Sequence, residues 1–253
     1  MRVIDHISDL HFCRVDRRAT DALLARLNED PAHLVVVSGD LTMRARRHEY
    51  RAARTFLDAL NPPWLAVPGN HDITAYYPWE RFLDPFGRWQ SLVSDEMEPV
   101  FEDEEIQVLG LNTVSRGGLH LQWENGKVPR AGLLRLLRRL RRLEEGRFRI
   151  VVAHHPFLAP PDLPGTPIVA RGERALRDLA RGGVRLVLSG HLHVGYHNTH
   201  DIRAEEGSRL TVLQAGSATS TRLRGEANAY NRVIVENGRA RWTSHHWDGD
   251  AWR

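Results

Sequence analysis

Five apolar runs in this chain each stop at a small group of carboxylate, amide or imidazole side chains. Val3-Ile4 leads to Ser8-Asp9-Leu10-His11, residues 34–37 lead to Ser38-Gly39-Asp40, and residues 64–67 lead to Gly69-Asn70-His71-Asp72. Later, residues 150–153 lead to His154-His155-Pro156, and residues 186–188 to Gly190-His191-Leu192-His193. Short, β-branched apolar runs bounded by turn residues read as buried strands. Asp9, Asp40 and Asn70 follow one another at intervals of about 30 residues, which is room for a strand, a crossover helix and the next parallel strand.

The intervening segments agree with that spacing. Residues 16–28 place Ala22, Leu23, Leu24 and Leu27, and residues 48–60 place Ala52, Ala53, Phe56, Leu57 and Leu60, at helical intervals. Asn61-Pro62-Pro63 then stops the second helix. After Asp72 the pattern breaks: residues 76–99 are rich in aromatic side chains, prolines and acids. They read as an insertion or lid beside the site, or as a contact between copies in a homo-oligomer.

Residues 100–101 and 106–111 read as strands joined by an acidic turn. Residues 129–144 read as an amphipathic helix with Leu133, Leu136, Leu137, Leu140 and Leu143 on one stripe. Its arginines, Arg135, Arg138, Arg139, Arg141 and Arg142, read as the solvated face rather than a nucleic-acid site. Residues 150–153, 172–180 and 186–188 repeat the strand, helix, strand plan. Residues 209–214, 230–236 and 239–245 read as a β-meander, the last two joined by an Asn237-Gly238 turn. The 253 residues are expected to form a single domain spanning 1–253, of the α/β (α+β) class, with two packed mixed sheets flanked by helices.

A formal net charge of +3 is small for this length and gives no support to a nucleic-acid partner. Cys13 is the only cysteine, so no intrachain disulfide forms. The putting of a ligand-type residue as early as Asp9 leaves no space for a cleavable signal, and no apolar run approaches the ~18–20 residues of a membrane span. The expectation is a cytoplasmic protein with no membrane partner.

The strand-end side chains carry the chemistry. In extended chain, residues two apart point the same way, so Asp9 and His11 are placed to share a metal, and His193 repeats that spacing after His191. Asp40 follows Gly39, which lets the carboxylate approach closely, and its two oxygens suit it to bridging two cations. With Asn70, His154 and His191 the set mixes nitrogen and oxygen donors, suited to Mn, Fe, Co, Ni or Zn rather than Ca. Two such ions clamp the attacking and leaving oxygens of a phosphoryl displacement. His71 is left to protonate the leaving group, with Asp72 to orient its ring. Arg44, Asn112, His155 and His197 are further candidates for contacting substrate, and His200 for lining the pocket.

Asp-Leu-His at 9–11, Gly-Asp at 39–40, Gly-Asn-His-Asp at 69–72, His-His-Pro at 154–156 and Gly-His-Leu-His at 190–193 resemble the calcineurin-like metallophosphoesterase superfamily in order and spacing over nearly the whole chain. The resemblance implies a four-layer αββα sandwich. It implies one metal on Asp9, His11, Asp40 and His193 and a second on Asp40, Asn70, His154 and His191, with His71 contacting the phosphate or the leaving group. The implied activity is hydrolysis of small phosphodiesters, of cyclic-nucleotide or glycerophosphodiester type, by a metal-bound hydroxide. Within the superfamily the chain most resembles the compact bacterial cyclic-nucleotide and glycerophosphodiester phosphodiesterases, although Met43 and Arg44 stand where many members of that branch carry an acidic residue after Gly-Asp-Leu-Thr. The alternatives are a phosphomonoesterase or nucleotide pyrophosphatase using the same site, and a scaffold that keeps the fold without catalysis.

Overall fold

The structure is a computed structural model that describes the chain apart from residues 117–122, 145, 202–208 and 224 and the side chains of 123 and 198–201. The first part of the chain lays down β1 (Arg2–Ile7), α1 (Arg17–Glu29), β2 (Leu34–Val37), α2 (Arg47–Asp58) and β3 (Trp64–Ala66). Asp16 starts α1 by accepting a hydrogen bond from the Ala19 amide at 3.2 Å, which satisfies one of the free donors of the first turn. After β3 come α3 (Pro78–Leu83), α4 (Gly87–Leu92), β4 (Val100–Glu102) and β5 (Ile106–Gly110). The remainder is α5 (Arg130–Arg142), β6 (Phe148–Val152), α6 (Gly172–Arg181), β7 (Val184–Ser189), β8 (Tyr196–Asp201), β9 (Arg209–Gln214), β10 (Ala229–Glu236) and β11 (Arg239–His246).

These strands form two mixed sheets, ordered β11-β10-β1-β2-β3 and β4-β5-β6-β7-β9-β8. The parallel strands β5, β6, β7 and β9 form the centre of the second sheet, while β1, β2 and β3 run parallel in the first with β3 at its edge; the central ones are buried on two faces, which is why they read as continuous apolar runs rather than alternating ones. In β2, Val35 and Val37 pack with Leu23, Leu27 and Leu57 of α1 and α2, while Leu34 and Val36 face the other sheet. There they meet Val108, Ile150, Val152, Leu186 and Leu188. On the far side, Val151 and Val187 pack with Leu133, Leu136, Leu140 and Leu176 of α5 and α6. Helices, sheet, sheet and helices therefore make four layers, as expected.

Two expectations change. Residues 209–214 do not form a meander with the strands that follow. β9 runs parallel to β7 and antiparallel to β8 in the second sheet, whereas β10 and β11 form a hairpin that pairs antiparallel to β1 in the first. The cause is burial on both faces: Leu210 and Val212 pack into the helix layer and Leu213 into the space between the sheets. The 76–99 segment also divides. Tyr76, Tyr77, Trp79 and Phe82 are exposed, but Trp89 on α4 is fully buried, edge-on to Tyr50 of α2 at 6.5 Å between ring centroids.

Candidate metal centre

The C-terminal ends of β1, β2, β3, β6 and β7 lie along one edge of the two sheets, and the chain turns sharply as it leaves them. Asp9, His11, Asp40, His191 and His193 all have left-handed backbone, with φ between 50° and 82°. Asp9 and His11 therefore converge through a tight turn, not through the strand alternation that their spacing implies. Backbone hydrogen bonds hold the turn, from Asp9 N to Gly39 O at 3.1 Å and from His11 N to Asp40 O at 3.0 Å. Gly39 is required where it stands: its φ is +95°, and a Cβ would lie 2.6 Å from His154 Nδ1.

Seven side chains meet at this edge in two groups. His193 Nε2 lies 3.1 Å from His11 Nε2 and 3.4 Å from Asp9 Oδ1. Asn70 Oδ1 lies 3.0 Å from His154 Nε2 and 2.9 Å from His191 Nδ1. Asp40 Oδ2 stands between them, 3.7 Å from His11 Nε2 and 3.4 Å from His154 Nε2. Donor atoms bound to one ion at about 2.0–2.2 Å lie roughly 3.0–3.5 Å from each other, so these separations suit two ions sharing Asp40.

The hydrogen bonds around the groups orient the donors inward. His154 Nδ1 donates to Ser38 O at 2.8 Å, His193 Nδ1 to Arg222 O at 3.0 Å, and His11 Nδ1 to Thr42 O at 3.3 Å. A carbonyl can only accept, so each ring turns its Nε2 toward the cleft; this is the usual outer support of a metal-binding histidine. Asp9 Oδ2 accepts from Ser8 Oγ and from the His191 amide, while Asp9 Oδ1, fully buried, has no hydrogen-bond partner. A buried carboxylate oxygen left in that state fits a cation better than it fits an apoprotein.

Electrostatics agree. Burial pushes the Asp40 carboxyl up, but His154, His71 and His11 outweigh it and hold the group well below the usual carboxylate range. Burial also lowers His11 and His191 to about 4, which keeps both rings neutral and able to ligate. His154 goes the other way. Burial lowers it, yet the adjoining Asp40 carboxylate raises it to about 9, so a proton occupies the position that a cation would take.

The other predicted residues are distributed around this centre. His71 is half-buried and lines the cleft; its Nδ1 donates to Met43 O at 2.8 Å and its amide to Asp40 Oδ1 at 2.8 Å. Asp72 does not reach that ring. Its carboxylate accepts from the amides of Gly69, Leu41 and Thr42 and from Thr42 Oγ1, all within 3.1 Å, because it is turned back to tie the loop after β3 to the loop after β2. Met43 orients His71 instead.

His155 is fully buried behind the second group, with Nδ1 2.8 Å from Thr113 Oγ1 and its ring 5.0 Å from that of His191. Arg44 lines the cleft, its guanidinium over the Tyr76 ring at 5.4 Å. Asn112 and His197 do not join them: Asn112 Oδ1 accepts from the Val114 amide in its own turn, and His197 stands on β8 against Trp242. The His200 side chain lies outside the described residues. Arg222, Glu124, Asn125 and Thr166 also line the cleft, which has a volume of about 480 Å³. No sequence signal marked them, since each sits in a polar connection with no ligand-like spacing.

A family model for calcineurin-like phosphoesterases matches residues 2–195. The chain belongs to this family. Among calcineurin-like relatives, it is 38% identical over 86 residues to the glycerophosphodiester phosphodiesterase GpdQ of Enterobacter lignolyticus, a match covering 30% of this chain and 31% of the relative. It is 24% identical over 163 residues to a probable GpdQ of Arcobacter nitrofigilis, covering 63% of this chain and 56% of the relative. The chain thus spans about a third to a little over half the length of these two relatives. Its calcineurin-like fold is shared with a dimetal phosphatase from Danio rerio, at a TM-score of 0.68 and 14% identity over 96% of this chain and 95% of the other. A purple acid phosphatase from Lupinus luteus gives a TM-score of 0.71 and 11% identity over 100% of this chain and 52% of the other. Among the described residues no helix is long and apolar enough to cross a membrane.

Proposed function

We propose that this protein is a binuclear metal-dependent phosphodiesterase acting on small phosphodiesters. The observation that carries the reading is the position of Asp40 Oδ2, which faces His11 of one donor group and His154 of the other. Asp9, His11 and His193 would hold one divalent cation, Asn70, His154 and His191 the second, and Asp40 both. Bound there, two cations of the Mn, Fe, Co, Ni or Zn type would lower the pKa of water and neutralise charge on phosphoryl oxygens.

The chain's own part follows from His71. With Nδ1 tied to the Met43 carbonyl, the ring has one remaining nitrogen, Nε2, to meet substrate in the cleft that it lines. As imidazolium, His71 donates the Nε2 proton to the departing alkoxide, which turns a poor leaving group into an alcohol. A cleft of about 480 Å³ is of the size that takes a small diester. The partial similarity to proteins named glycerophosphodiester phosphodiesterases supports diesters over monoesters.

Apo-protein reconstituted with Mn is expected to hydrolyse bis(p-nitrophenyl) phosphate faster than p-nitrophenyl phosphate. Asp40→Ala and His191→Ala should lose that hydrolysis while keeping wild-type circular dichroism. Full activity after metal removal would overturn the metal requirement, and a preference for the monoester would convert the reading to a phosphomonoesterase.

A further inference from the structure

We propose that Arg44 and Arg222 form a second anion site, so that the substrate carries a further phosphate or carboxylate beyond the scissile phosphodiester. The proposal rests on the phosphodiesterase reading above and specifies its substrate class. Both arginines line the same cleft as Asp40 and His71. Both are exposed, and among the described residues neither has a carboxylate partner. Other arginines of this chain do pair with acids, among them Arg88 with Glu80, Arg135 with Glu98 and Arg147 with Glu102.

The pair is also held in place. The Arg44 guanidinium lies over the Tyr76 ring at 5.4 Å, and Arg222 Nη1 lies 3.8 Å from Met43 Sδ. Met43 is the residue before Arg44 and the one whose carbonyl holds the His71 ring. Arg44 thus belongs to the short loop that carries Met43, and Arg222 and His71 both rest against that loop. A guanidinium resting on an aromatic face keeps its N–H edge free to bind an anion in its plane, and two in one cleft match the fork geometry of phosphate or carboxylate. Among the described residues, Glu124 is the one acid besides Asp40 that lines the cleft, and it arrives from a separate segment. A substrate whose second group is neutral or cationic would leave both arginines unused.

The test compares the dinucleoside monophosphate TpT with its terminally phosphorylated form pTpT, in the presence of Mn, with chromatography to separate cleavage of the internal diester from removal of the terminal phosphate. Wild-type kcat/KM for the internal bond should be about tenfold higher for pTpT, mainly through KM, as one well-formed guanidinium–phosphate contact implies. In the Arg44→Gln/Arg222→Gln double variant the ratio of the two should fall to about one. The Arg222 carbonyl that supports His193 is backbone and survives the substitution. Added salt should lower the wild-type ratio more than it lowers TpT cleavage. No wild-type preference for pTpT, or a preference that the double variant retains, overturns the second site. Wild-type failure on bis(p-nitrophenyl) phosphate would instead overturn the phosphodiesterase reading itself.

Discussion

Asp5→Asn is expected to make the protein more stable at pH 8 and slightly less stable at pH 4. Asp5 is fully buried on β1, and neither carboxylate oxygen accepts a hydrogen bond. Its near cation is Arg232, with Nη1 at 3.5 Å, and the same guanidinium also reaches Asp30 at 3.1 Å. Burial raises the carboxyl from 3.8 to about 6, and Arg232 only partly opposes it. A folded-state pKa above the unfolded value means that the native protein holds the proton more tightly. Between about 4 and 6, therefore, stability falls as pH rises, and above about 6 the whole penalty is present. A shift of about 2 units corresponds to roughly 3 kcal/mol. Asparagine removes the charge but leaves an amide short of partners, which returns about 1 kcal/mol, so the net gain at pH 8 is about 2 kcal/mol. That should appear as a rise in Tm of about 4–8 °C for a chain of this size. Urea titrations of both proteins at pH 8 and pH 4 measure the two gaps. No gain at pH 8, or the same gain at pH 4, would refute the burial argument.

Gly69→Ala would place a Cβ 2.1 Å from Asp40 Oδ1 and 2.3 Å from the Asp40 amide, so the shared carboxylate must move. Metal content by mass spectrometry should drop below two per chain with the fold retained; two ions held as tightly as in wild type would contradict the sharing of Asp40. Trp89→Ala empties a fully buried indole site and should lower unfolding free energy by about 3–5 kcal/mol, whereas a loss under about 1 kcal/mol would mean that α4 is not part of the core. Asp72→Asn removes a carboxylate that accepts three amides and a hydroxyl, and should lower stability by about 2 kcal/mol. Its pH–rate profile should keep its shape, because Met43 and not Asp72 holds His71; a displaced profile would restore the orienting role to Asp72.

Much of the fold was legible because the parallel strands are buried on both faces and announce themselves as apolar runs. The same property hid β9. A strand with apolar residues on both faces looks alike whether it continues a hairpin or crosses to another sheet, and its pairing with β7 is decided by packing against α6 and the opposing sheet. β8 was illegible for the opposite reason: Tyr196–Asp201 is a polar edge strand with no hydrophobic period. At the site, the donors were readable because strand ends carry them in fixed order. Their supports were not. Ser38, Thr42, Met43 and Arg222 act through backbone carbonyls, which every residue possesses, so no side-chain pattern reveals them.

The left-handed backbone at five of the seven donor positions explains why those donors sit so close to the sheets. Among the described residues, nine that are not glycine have positive φ, and five of them are Asp9, His11, Asp40, His191 and His193. Each such residue costs on the order of 1 kcal/mol relative to ordinary backbone, so the concentration at one edge of the molecule is a local sacrifice of stability. It persists because the strands behind it are over-determined: β1, β2, β6 and β7 are buried on both faces, and the loops after β1 and β2 remain hydrogen-bonded to each other beyond the sheet. A strand continued in extended form would send Asp9 and His11 away along the sheet axis, whereas an immediate turn folds both back over the strand ends where Asp40 stands. The rigid sandwich thus serves as the platform, and the strained turns after β1, β2 and β7 fold their donors back to meet those carried by the ends of β3 and β6.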